Sequence, residues 1–143
     1  MKIATTIAGA LLGFAFVIFG LLVLLQIAPP PPPFSEGSAP AHFMAAFATT
    51  GYLQVVKVLE VLGGLLVAFP QTRRAGLLVL GPILVNILLF HALVMHGEGL
   101  FSPVLLVLVA FTLFLAWVER AAFATFLGKQ PDPQKSSPVK SNP

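Results

Sequence analysis

Two residues of opposite charge, Lys57 and Glu60, stand three positions apart in the middle of an apolar run of membrane-spanning character. A single ionisable group at bilayer depth costs about 2.5–3.5 kcal/mol on insertion scales, so a pair there needs a physical reason. Two chemical states are open to it. One is a buried ion pair. The other is a neutral amine beside a neutral acid, reached when a proton passes between them, because burial disfavours charge. The neutral state suits a proton relay or a quinone-linked site; the ion pair also suits a structural role, pinning helices in register. Asn86 and His91 are the polar residues placed to join the pair.

Other chemistries find little support. The chain has no cysteine, which removes disulfide exchange, iron–sulfur clusters and thiolate zinc sites. His42, His91 and His96 show no H-x-x-x-H spacing or carboxylate partner, so no metal site is expected. There is no Ser-His-Asp set, phosphate-binding glycine loop or dinucleotide fingerprint, and no covalently bound cofactor is expected. Thr112, Ala116 and Glu119 share a helical face, but Glu119 lies near Trp117 and Arg120, where an interfacial ion pair is expected. The net charge of +3 comes from residues outside the apolar runs, which makes them topology signals and not a nucleic-acid surface.

The elements that must hold these residues follow from composition. Of the 143 residues, 57% are hydrophobic and 9% charged, against roughly 25% charged in soluble domains. Four apolar segments approach the ~20 residues that a spanning helix needs: 3–28, 52–69, 75–95 and 104–126. The first is too long for a cleaved signal, lacks an A-x-A-like site and is read as a retained helix. The expected fold is all-α, an antiparallel bundle of four transmembrane helices over 1–127, followed by a disordered cytoplasmic tail over 128–143. Lys2, Arg73, Arg74, Arg120, Lys129, Lys135 and Lys140 fall on one side; Glu36, His42, His96 and Glu98 fall on the other. The positive-inside rule then puts both termini in the cytoplasm.

Between the first two spans, Pro29 to Pro33 reads as a stiff polyproline spacer, and Ala41 to Thr50 as a short interfacial helix with Phe43, Met44 and Phe47 on one side. Gly9, Gly13 and Gly20 share a face of the first helix and predict close helix packing, by default inside the bundle. Pro82 predicts a kink or opened turn in the third. Lys57 lies fifteen residues before Thr72 and Asn86 fourteen after it, so the two sit at one depth across a short turn. Asn86 then reaches the pair if its face turns inward. His91 lies further toward the opposite surface, rotated away from Asn86.

These residues resemble the DoxX-like membrane proteins. The resemblance is carried by Gly51-Tyr52-Leu53 with Lys57-Val58-Leu59-Glu60-Val61-Leu62-Gly63-Gly64, by Asn86-Ile87-Leu88-Leu89-Phe90-His91, and by Gly13 to Leu22 including Phe19-Gly20. It spans about Ile7 to Trp117. Members often carry an Asn-Lys pair where this chain has Leu22 and Val23, which leaves Lys57 as the only intramembrane cation. The resemblance implies a bacterial inner-membrane bundle. It also implies an accessory role in a quinone-linked or oxidative-stress redox complex, with oxidoreductase subunits as partners and no catalysis by this chain alone. Lys57, Glu60 and Asn86 would then hold a buried group such as a quinone headgroup, with His91 nearby. Two rivals remain: a proton- or small-solute-conducting bundle, aided by a homo-oligomer through Gly9 and Gly13, and a non-catalytic anchor acting through its tail.

Overall fold

The computed structural model describes residues 2–27, 33–126 and 128, and every regular element among them is helical. Most of the polyproline run and of the tail, including Lys129, Lys135 and Lys140, lies outside the described residues. The elements are α1 (Lys2–Leu24), α2 (Ala39–Thr49), α3 (Tyr52–Ala68), α4 (Arg73–Leu89), a π-helical segment (Phe90–Val94), α5 (Pro103–Val118) and α6 (Arg120–Phe126). Two are long and apolar enough to cross a membrane: α1, and the 22-residue run Arg73–Val94. The α2–α3 pair, bent by 78°, adds a third if taken as one span. α5 is apolar but has only 16 residues, about 24 Å of helix.

Small residues set the packing. A Cβ on Gly9 would meet the Val67 carbonyl oxygen at 2.9 Å, one on Gly13 would run into the Gly64 carbonyl, and one on Gly20 would meet Val61 at 2.7 Å. As α1 advances its contacts retreat along α3, so these two helices run in opposite directions at backbone contact. The glycine face is thus spent inside the molecule. Gly63 and Gly76 do the same between α3 and α4: a Cβ on Gly63 would strike Leu80, and one on Gly76 the backbone of Val67. α5 packs on α1 and α4. Leu12, Val67, Leu80 and Leu115, one from each long helix, have no exposed surface at all.

Three boundaries and the place of the widened turn depart from the sequence reading. α1 ends at Leu24, short of residue 28, and the chain then turns through Gln26 at φ 55°. The short helix begins at Ala39, capped by Ser38, whose hydroxyl accepts the Ala41 N–H at 3.4 Å ahead of Pro40 in the first turn. The last segment breaks at Glu119 into α5 and α6. Pro82 does not interrupt α4; it sits on the exposed face of the helix. The widened turn comes eight residues later, at Phe90, where the Met95 N–H reaches back to the Phe90 carbonyl at 2.9 Å.

Candidate functional site

Lys57 and Glu60 sit one turn apart on α3, and the lysine Nζ bonds both carboxylate oxygens, at 2.9 and 2.8 Å. Glu60 is the deeper partner: its side chain is 4% exposed and that of Lys57 18%. Both belong to the same helix, and neither bonds a group on another helix among the described residues. Two of the three ammonium N–H groups are used, which leaves one without a protein partner.

The pair lines an open pocket of about 260 Å³, to which all four long helices contribute. Phe16 and Phe19 come from α1, Ile87 and His91 from α4 and its π-helical extension, and Ser102, Leu105 and Leu108 from the start of α5. The walls are otherwise apolar. His91 is held from outside the cavity: its Nδ1 lies 2.8 Å from the Glu98 carbonyl oxygen. A carbonyl only accepts, so Nδ1 carries the proton and Nε2 is the lone-pair nitrogen of the neutral ring. Gly99, at φ +73°, lets the loop lie against this imidazole; a Cβ there would sit 3.0 Å from the ring. On the outer side of the π-helical segment, Phe90 packs on Phe43 with centroids 5.0 Å apart. Phe43 stacks on Phe47, and Phe47 meets Tyr52, so α2 braces the turn that carries His91.

Asn86 is not part of this arrangement. Its side chain is exposed on the far side of α4 and bonds neither Lys57 nor Glu60. The reason is the seating of α4 on α3. Gly76 and Leu80 must mesh with Val67 and Gly63, which turns Leu77, Leu80, Ile83, Leu84 and Ile87 inward and Asn86 some 100° away from Ile87. The structure instead supplies Ser102, which the sequence reading passed over. Its hydroxyl caps α5, accepting from the Leu105 N–H at 3.4 Å, and its O–H proton remains available to a ligand. The Ser102-Pro103 pair is a recognisable helix start. That this start lies level with Lys57 is a fact of tertiary packing.

At the other end of the molecule Glu119 bonds Arg74 Nε at 2.8 Å and stands 3.9 Å from Arg73, while Arg120 stacks on Trp117 at 4.4 Å. Glu119 therefore pairs with α4 rather than with its neighbour Arg120. Arg73 is 4% exposed and folds over Gly9, its Nε and Nη2 without hydrogen-bond partners. His42 and His96 are exposed, and no group of His, Asp or Glu among the described residues has metal-binding geometry.

No family model and no solved structure matches the chain. It is similar to the uncharacterized protein YwoB of Bacillus subtilis (strain 168), 29% identical over 126 residues that cover 84% of this chain and 79% of YwoB.

Proposed function

We propose that this chain is a DoxX-like inner-membrane protein in which α1, α3, α4 with its π-helical extension, and α5 all cross the bilayer, with both termini cytoplasmic. Its cavity would receive the headgroup of a quinone, as an accessory subunit of a membrane redox complex whose electrons come from a partner. The observation that carries this reading is an apolar cavity with one polar floor, the Lys57–Glu60 pair, and a ring of suitable size to fill it. A volume of about 260 Å³ lies just below the ~300–1,000 Å³ of sites that enclose whole drug-sized ligands. It fits a single substituted ring whose tail leaves through the open side. The spare Lys57 N–H and the Ser102 O–H can each donate to a carbonyl, and His91 Nε2 can accept from a hydroxyl. The structural alternative, a pair that glues helices together, loses support because the ion pair lies within one helix.

The test is binding of a short-chain benzoquinone to the purified protein in detergent, read directly and by the unfolding midpoint. A ligand that binds only the folded state at 100 times its Kd stabilises it by about 2.7 kcal/mol. Binding should be lost in Lys57→Met and in the cavity-filling Leu108→Trp, and kept in Asn86→Leu. Absence of binding by the folded wild type would end the quinone reading.

A further inference from the structure

The residue that the cavity leaves out raises a question of its own. Asn86 presents a carboxamide on the outer face of α4 and has no hydrogen-bond partner among the described residues. Its neighbour Ile87 lines the cavity beside Lys57, which fixes its depth inside the apolar zone. An amide turned toward hydrocarbon is unfavourable unless another group meets it. The surface around it is organised as well. Pro82, Asn86, Leu89 and Leu93 are all exposed and follow one another at intervals of four, three and four residues, the spacing of a helix–helix seam with Asn86 in its line. Pro82 also brings no N–H to the Leu78 carbonyl, so a second polar backbone group belongs to the same stripe. Lipid covers an apolar repeat of this kind, as it would along Ile3, Ile7, Leu11 and Phe14 of α1, but it gives the amide no partner. Another helix accounts for both.

We propose that the protein forms a parallel homodimer through this face of α4, with Asn86 bonded to Asn86 of a second copy across a twofold axis along the membrane normal. The chemistry selects the partner. A carboxamide is both donor and acceptor, so two related by a twofold satisfy each other without any further group. The glycine face once open to a dimer, Gly9 with Gly13, is occupied by α3 and cannot serve. The dimer rests on the membrane placement of α4 but not on any ligand in the cavity, so the two readings fail separately.

The absence of cysteine makes the test direct. Leu89→Cys and Leu93→Cys place a thiol on the seam, and Leu113→Cys places one on the exposed face of α5 as a control. Each variant is purified, reconstituted in phosphatidylcholine vesicles at high lipid-to-protein ratio and oxidised. The seam thiols should form a disulfide-linked dimer where Leu113→Cys stays monomeric. Energy transfer between labelled copies during lipid dilution should show the Asn86→Leu dimer weakened roughly three- to thirtyfold, with Asn86→Gln recovering most of the loss. Asn86→Leu is a lipid-facing apolar change, and its fold is checked by its unfolding midpoint. Seam thiols that cross-link no faster than the control, or an Asn86→Leu variant that dimerises as well as wild type, would overturn the proposal.

Discussion

Replacing Lys57 with methionine removes the only partner, among the described residues, of a carboxylate that is 4% exposed. Two charge-assisted bonds, at 2.9 and 2.8 Å, disappear together. Such bonds contribute about 1.5–3 kcal/mol each, and loss of one member of a buried pair typically costs about 3–5 kcal/mol. The expected loss is about 3 kcal/mol, the lower end of that range. The reverse change, Glu60→Leu, leaves a lysine that is 18% exposed and borders the open cavity, where water can solvate it. That variant should lose only about 1–2 kcal/mol. Because the pair lies within α3 and holds no other helix, Lys57→Met combined with Glu60→Leu should return close to wild-type stability. Exchanging a buried pair for apolar residues is often neutral or stabilising, by about 1–4 kcal/mol. The assay is equilibrium unfolding in mixed micelles against increasing mole fraction of sodium dodecyl sulfate. The coupling energy is read from the double-mutant cycle. A double variant as unstable as Lys57→Met would refute the reasoning, since it would mean that the pair ties α3 to its neighbours.

Other consequences are as direct. Gly13→Ala drives a methyl group into the Gly64 carbonyl and should destabilise by about 1–3 kcal/mol, whereas Gly81→Ala meets nothing within 4 Å and should be neutral or stabilising in the same unfolding assay. Glu119→Ala leaves the buried Arg73 without its carboxylate and should cost about 2–4 kcal/mol. By contrast Arg74→Ala, which removes a 64%-exposed partner, should cost under ~1 kcal/mol by the same measurement. Gly99→Ala strains a positive φ and pushes the His91 ring, so titration of the benzoquinone should show weaker binding with little change in overall helicity by circular dichroism.

How far the residues announced all this depends on what each pattern can encode. The positions of Lys57 and Glu60 needed no fold, because charge inside an apolar run is visible against any background. The face formed by Gly9, Gly13 and Gly20 was equally legible, since only close backbone approach explains glycine at helical spacing, and all three meet α3. The rotation of α4 was not legible from polarity. A helix apolar on every side has almost no hydrophobic phase, so nothing in its periodicity says whether Asn86 or Ile87 faces inward. The cue lay in Gly76, which meshes with Val67 and sets the phase of the whole helix. Helix ends at Leu24 and Glu119 were hidden for a similar reason: apolar residues continue past both, and the turn after Leu24 closes through backbone bonds, such as Ile27 N–H to the Leu22 carbonyl at 2.9 Å, that no side-chain pattern marks. Residues brought together from distant segments, such as Ser102 beside Lys57, leave no trace in local spacing.

The proposed headgroup site and the conducting alternative make different demands on the interior beyond the pocket. From the cavity floor at Glu60 toward Arg73 and Glu119, the interior passes through Leu12, Val67, Leu80 and Leu115, all fully buried and drawn from four helices. A proton or small solute crossing that layer needs a chain of water or polar side chains. The nearest hydroxyl in the layer, on Thr112, already donates to the Leu108 carbonyl at 2.8 Å. An open pocket bordered by a charged pair, with a buried apolar layer beyond it, offers no polar path onward through those four side chains. On the proposed reading, the pocket receives a polar headgroup that enters and leaves by the same opening.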